Sequence, residues 1–290
     1  MAAVELITIG NELLNGHTVN TNAAWLGREL NALGLDLERV TTIADTSEAI
    51  AAETQAALQR AEVVLLTGGL GATRDDITKT VLNELFGGGE LVLHPDTLAQ
   101  LEAYMATRGK QVNDLLRQNA MIPPASQPLL NGVGAAPGLH FTTADGRQVF
   151  ATPGVPWEMK HLFERHILPY LQAHYQQDLV RHYTLCTAGI PESSAAKRLA
   201  ELEQRLPPEI ALAYNPSLHW LKLRLTLRGA KSVAEPLLPT FEALSEGMRE
   251  TLADFAFGEG TDTLEQVVGK LLREKGLYLA TAESCTGGAL

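Results

Sequence analysis

Cysteine is scarce: the 290 residues hold two, Cys186 and Cys285, and neither has a near partner. That pattern supports neither a zinc site nor a disulfide framework, and it makes a reducing cytoplasm the expected compartment. His17, His94, His140 and His219 stand apart, none with a second histidine at metal-ligand spacing. Positive charge is also short. Lys and Arg number 23 against 34 Asp and Glu, a formal net charge of −11, so the chain is a poor general binder of nucleic acid. No apolar run approaches the roughly 18–20 residues of a membrane span. No basic segment followed by an apolar one precedes the first strand pattern, Val4–Ile9, so a signal peptide is not expected. Internal repeats and low-complexity stretches are missing, as are a Walker A loop and a GxGxxG fingerprint. What remains is an ordinary globular composition, 45% hydrophobic and 20% charged, with length for two domains or a little more.

The most informative stretch is Thr67 to Asp76, TGGLGATRDD. It follows Val63–Leu66, a short apolar run that reads as a buried strand. It precedes Ile77–Phe86, in which Ile77, Val81, Leu82, Leu85 and Phe86 share a helical face and Gly87 sits at the C-terminal cap. Gly68, Gly69 and Gly71 permit positive φ and leave room for close approach. Backbone N–H groups of such a strand–helix turn suit a phosphate. One of Asp75 and Asp76 can cap the helix. A second carboxylate beside a phosphate needs a divalent cation between them, and oxygen ligands suit Mg²⁺ or Mn²⁺.

The first third alternates strand and helix: strand Val4–Ile9, a loop from Gly10 to His17, a helix from Asn22 to Leu33, strand Leu37–Ile43, a helix from Ser47 to Ala61, then the strand and helix around the glycine loop. This order predicts a three-layer α/β/α fold on a mainly parallel sheet, with ligands at the carboxyl ends of its strands. Candidate site segments are therefore Gly10–Glu12, Ala44–Thr46 and Thr67–Asp76. Residues 91–120 read as helical with a break at Gly109. Leu139–Thr142 and Gln148–Ala151 read as a hairpin turning at Asp145-Gly146. Pro153-Gly154 follows as a second place for close backbone approach, before a helix from Trp157 to His174. Beyond it, Tyr183–Ala188, Ile210–Tyr214 and Trp220–Leu227 read as strands, the last with Lys222 and Arg224 outward. With helices over 192–205 and 233–252 they predict a small α+β unit. Thr263–Lys275 reads as an amphipathic helix and Leu277–Ala280 as a further strand. The expected domains are 1–175, 176–258 and 259–290. The last segment reads as the entrance to a domain whose remaining part is not included, because about thirty residues cannot build a core.

GNELLNGHTVNTNAAWL (10–26), TGGLGATRDDITK (67–79), NGVGAAPG (131–138), TPGVPWEMK (152–160) and the closing TAESCTGGAL together resemble the competence/damage-inducible protein CinA family over nearly the whole chain. Asn11 stands where the family usually has Thr, Ala72 where it has Pro, and Val155 and Trp157 also depart, Trp157 with a bearing on pocket shape. The carboxylates Glu12, Asp75, Asp76 and Glu158 are kept. The resemblance implies a molybdopterin-binding-like first domain that hydrolyses ADP-ribose to AMP and ribose 5-phosphate with a divalent metal ion (Mg, Mn or Co). It implies a KH-type middle domain, although residues 176–258 contain no GxxG to clamp RNA. It also implies deamidation of nicotinamide mononucleotide with Ser284 as nucleophile. Both activities belong to pyridine-nucleotide salvage. A homodimer acting on a small nucleotide, away from membranes, is the expected assembly. Two other readings stay open: a molybdopterin- or nucleotide-binding module without hydrolysis, and an interaction protein of the competence or DNA-damage response.

Within this reading Glu12, Asp75 and Asp76 are the candidate metal ligands, and Asp75, Asp76 and Lys79 the candidate catalytic groups. Asn22, Asp45, Thr67, Gly68, Gly69, Gly71, Thr73, Arg74, Pro153, Gly154 and Lys160 form the candidate substrate site. For several the plainer alternative is structural. Asp76, Asp75 and Asp45 can be helix caps, Asn20 or Asn22 must cap the helix they open, and Lys79 and Lys160 can face solvent. Ser284 needs a base and oxyanion donors that would lie beyond Leu290.

Overall fold

Alternate residues of β1 (Ala3–Ile9) enter different cores: Val4 and Leu6 one, Ile7 and Ile9 the other. A strand that is apolar on both sides has to be covered on both faces. The computed structural model describes residues 3–73, 76–175 and 178–285, and it divides the chain into two units, Met1–Gln177 and Asp178–Leu290. After β1 the first unit runs α1 (Asn11–Leu14), α2 (Thr21–Ala32), β2 (Asp36–Ile43), α3 (Ser47–Arg60), β3 (Val63–Thr67), α4 (Thr78–Leu85), β4 (Val92–Leu93), α5 (Pro95–Ala106), α6 (Asp114–Arg117), β5 (Met121–Ile122), β6 (Ser126–Leu129), β7 (Gly138–Thr142), β8 (Gln148–Thr152), α7 (Pro156–Leu162) and α8 (Leu168–His174).

Its main sheet has the order β2-β1-β3-β8-β7-β6. The first four strands are parallel, and β7 and β6 continue antiparallel. The pairs Ile9↔Ile43, Thr8↔Thr67 and Thr67↔Thr152 bring four carboxyl ends to one edge. Ile50 and Ala57 of α3 with Val81 and Leu82 of α4 cover one face. Leu26 and Leu30 of α2, Met159 and Leu162 of α7 and Leu171 of α8 cover the other. The predicted three-layer arrangement on a mainly parallel sheet is what forms.

Three local expectations change. The stretch after Gly10 is a helical turn, α1, rather than a loop. Residues 91–120 are not one broken helix: His94 caps α5 by accepting from Thr97 N at 3.2 Å, Gly109 turns the chain at φ 65°, and β4 pairs with β5. The long helix after Pro156 passes through a π-helical turn, Phe163–Ile167, between α7 and α8. Pro169 follows it, and its ring would meet the carbonyl four residues back in a regular helix.

The second unit runs β9 (Leu179–Ala188), α9 (Glu192–Glu203), β10 (Ile210–Pro216), β11 (Trp220–Gly229), α10 (Lys231–Ala234), α11 (Leu238–Thr251), β12 (Ala256–Glu259) and α12 (Leu264–Glu274). Its sheet is antiparallel, in the order β10-β11-β9-β12. Leu221, Leu223, Leu225 and Leu227 are buried with Leu199 of α9 and Met248 of α11, while Lys222 and Arg224 alternate outward as predicted. Leu277–Ala280 is not a strand. No described strand pairs with it, and Tyr278 is 100% exposed, so the ladder that would stabilise an extended segment is lacking. Among the described residues no helix is long and apolar enough to cross a membrane.

Candidate functional site

The carboxyl ends of the four parallel strands open on a cavity of about 680 Å³. Gly10 and Glu12 follow β1, Asp45 follows β2, Gly68–Thr73 and Asp76 follow β3, and Pro153, Gly154, Val155 and Glu158 follow β8. Leu115, Leu116, Asn119, Ala135 and Ala136 add a largely apolar stretch of wall.

The glycine loop is shaped by the protein's own atoms. Gly68 N donates to Thr152 O at 3.0 Å, continuing the β3–β8 ladder past its last pair. Gly68 has φ 120°, and a Cβ there would strike the Ile9 carbonyl. The open side of Gly69 holds the Thr78 hydroxyl, which donates to Gly68 O at 3.0 Å. Gly71 leaves room for the Asp76 carboxylate in the same way. The N–H groups of Gly69, Leu70, Gly71 and Ala72 donate to no acceptor among the described residues. Successive unpaired amides in such a turn make an anion-binding concavity.

Asp76 is not the helix cap. The residue at the start of α4 is Ile77, with no side-chain cap. Asp76 Oδ2 instead accepts from Thr73 N at 3.1 Å and Thr73 Oγ1 at 2.7 Å. Thr73 is thus occupied in seating Asp76. Asp45 is not a cap either: Thr46 caps α3 by accepting from Ala49 N at 3.3 Å, and Asp45 Oδ2 accepts from Asn11 N at 3.0 Å. Glu12 folds over Gly10, where a Cβ would overlap its carboxylate. Arg74 and Asp75 lie outside the described residues.

Several candidates stand elsewhere. Asn20 caps α2, accepting from Ala23 N at 3.0 Å. Asn22 Nδ2 donates to Gly154 O at 2.8 Å and Thr67 Oγ1 at 3.2 Å, and Thr67 Oγ1 donates to Pro153 O at 3.0 Å. Asn22 and Thr67 therefore tie the end of β3 to the turn after β8, behind the cavity wall. Lys79 faces neither the cavity nor open solvent: its Nζ donates to Gln118 O at 2.6 Å, and burial lowers its pKa to about 8. Lys160 lies over the Trp25 ring at 5.6 Å. Trp157 is 60% exposed and does not line the cavity, so its departure from the family pattern leaves the pocket shape alone. Ser284 is exposed in a segment without regular structure.

Two residues escaped the sequence reading. Asn119, 2% exposed, lines the cavity and donates to Ala135 O at 3.1 Å. In the sequence Glu158 stands out only as a motif carboxylate. It lines the cavity, accepts from Asn131 Nδ2 at 2.6 Å, and is pushed up from the ordinary carboxylate value by burial. Among the described residues no three His, Cys, Asp or Glu side chains are grouped closely enough to hold a metal ion by themselves.

Residues 5–173 match the family described as probable molybdopterin binding domain, and residues 261–290 match the CinA C-terminal domain family. A CinA-like protein of Salinibacter ruber is 41% identical over 286 residues, which covers 99% of this chain and 68% of the relative. One from Gemmatimonas aurantiaca is 42% identical over 291 residues, covering 99% and 67%. The crystal structure of the protein CinA from Thermoplasma acidophilum, whose function is described as unknown, is similar with a TM-score of 0.52 and 34% identity, over 58% of this chain and 97% of that one.

Proposed function

Because the chain belongs to the CinA family, we propose that its first unit is a metal-dependent hydrolase that splits ADP-ribose into AMP and ribose 5-phosphate in pyridine-nucleotide salvage. One observation carries the reading: the amides of Gly69–Ala72, which donate to no acceptor among the described residues, share a cavity wall with Glu12, Asp45 and Asp76. The amides attract a diphosphate and the carboxylates repel it, a conflict that a divalent cation between them removes.

The donor set fits such a cation. Every candidate ligand is a hard oxygen, which suits Mg²⁺ or Mn²⁺ and admits Co²⁺. Mg²⁺ at phosphate sites is held by one or two carboxylates, water and the substrate's own oxygens. Glu12 and Asp76 would hold it. When bound, it supplies Lewis-acid polarisation of a phosphoryl oxygen. The rest falls to the chain. The Gly69–Ala72 amides bind and orient phosphate oxygens. Thr73 holds Asp76, and Asn22 with Thr67 keeps the Pro153-Gly154 wall in register with the loop. Leu115, Leu116, Ala135 and Ala136 exclude water from the remainder of the substrate.

The test is product analysis. Purified protein with ADP-ribose and Mg²⁺, Mn²⁺ or Co²⁺ should release AMP and ribose 5-phosphate in equal amounts and stop in excess chelator. Undiminished turnover in chelator removes the metal role. Binding without turnover under any cation favours the second reading, a non-catalytic molybdopterin- or nucleotide-binding module. Deamidation of nicotinamide mononucleotide at Ser284 is proposed for the longer protein that the relatives represent. Ammonia release by the 290-residue chain at a comparable rate would contradict that assignment.

A further inference from the structure

Glu158 sits in the first turn of α7 and in the cavity wall, and the hydrolase reading has so far given it no task. Its neighbour Asn131 is 3% exposed and fully engaged. Asn131 Oδ1 accepts from Val133 N at 3.1 Å, while Nδ2 donates to Ala136 O at 2.7 Å and to Glu158 Oε2 at 2.6 Å. These partners fix the amide, because only its oxygen can meet an N–H and only its nitrogen a carbonyl. Glu158 Oε2 therefore always meets a donor, and a proton on this carboxyl has to reside on Oε1. Gly134 completes the seat: a Cβ there would overlap the carboxylate.

Burial pushes the Glu158 carboxyl up, against smaller opposing effects of Asn131, the Ala136 amide and the charge of Arg108. Among the described residues the other ionisable groups of the wall are the carboxylates Glu12, Asp45 and Asp76, and His161, further along α7, accepts from Gly132 N at 3.3 Å. A half-buried carboxyl with Oε2 held by Asn131, beside a place for phosphate, is suited to moving a proton.

We infer that Glu158 is the general base of this site and that Asn131 is its positioning residue. The role rests on the hydrolase reading. The oxygen of a water forms a bond to phosphorus, one of its protons passes to Glu158 Oε1, and the bridging P–O bond breaks with its electron pair on the departing phosphate oxygen.

Glu158→Gln keeps the size and the oxygen that faces Asn131. It should lower kcat for ADP-ribose by about 100-fold or more, with KM changed less than about threefold, the range in which general bases contribute. In the wild type the acid limb of the kcat profile should lie above the ordinary carboxylate value of 4.5. Asn131→Ala removes a donor that favours the ionised form, so it should move that limb to higher pH. A readout without turnover is the infrared difference between wild type and Glu158→Gln in metal-free protein, whose carboxyl band should titrate above that same value. It stands even if Asn131→Ala fails to fold. Glu158→Gln turning over at the wild-type rate, or a carboxyl band titrating at or below the ordinary value, overturns the role and leaves the hydrolase reading intact. No ADP-ribose turnover by wild type under any cation removes that reading, and the role with it.

Discussion

Among the described residues, both hydrogen bonds to the Asp76 carboxylate land on Oδ2, from the Thr73 amide and hydroxyl. The side chain is thereby fixed over Gly71 in the cavity wall instead of being folded onto the start of α4. Asp76→Ala should reduce ADP-ribose hydrolysis by orders of magnitude while costing only about 1 kcal/mol of stability, the usual net value of such hydrogen bonds. Gly71→Ala should reproduce the loss with Asp76 still present, because the new Cβ takes the carboxylate's place. Steady-state kinetics beside thermal melts check both. Variants that melt earlier but keep their turnover would leave Asp76 a purely structural residue.

At the scale of elements, the amino end of the sheet carries a charge pair with no part in the site. Glu5, 3% exposed in the middle of β1, accepts from Arg60 Nε and Nη2, both at 2.7 Å, at the end of α3. Arg60 also reaches Glu53 at 3.0 Å, and Arg39 lies 3.8 Å from Glu5. Arg60→Ala strands a buried carboxylate. It should lower stability, though less than breaking a fully buried pair would because Arg39 remains near. Urea unfolding reads this directly, and a midpoint unchanged from wild type would mean that solvent already screens the pair. The strands and their helices were legible because β1 and β3 are near-continuous apolar runs, β11 alternates with period 2, and α3 and α4 carry a period-3.6 face. The short elements were not: α1 has one turn, β4 and β5 have two residues each, and none carries a pattern. The glycine loop was legible as a candidate site, but what fills its glycines was not. Gly68 needs room for Ile9, far away in sequence, and Glu158 meets Asn131 only once β6, β7 and β8 have paired. Local sequence carries residue types, whereas such contacts are set by strand order.

For the molecule as a whole, two histidines bias stability in one direction. His140, stacked on Phe150 at 4.2 Å, and the half-buried His166 are both held below their ordinary pKa, chiefly by burial. The unfolded chain then binds protons near its own value of 6.5 that the folded chain refuses, so stability is full above that pH and falls as pH drops through it. Melting temperature should decline from pH 7 to pH 5, and His140→Phe should flatten part of the decline. A flat profile in the wild type would contradict the burial of these rings. The central claim, that the turn after β3 cradles a diphosphate, has a direct test in the amide ¹H–¹⁵N spectrum of the Glu158→Gln variant, in which turnover is slowed, titrated with ADP-ribose and Mg²⁺. The N–H signals of Gly69, Leu70, Gly71 and Ala72 should shift most, moving downfield as each gains an acceptor. Binding that moves other signals while those four stay still would contradict the account.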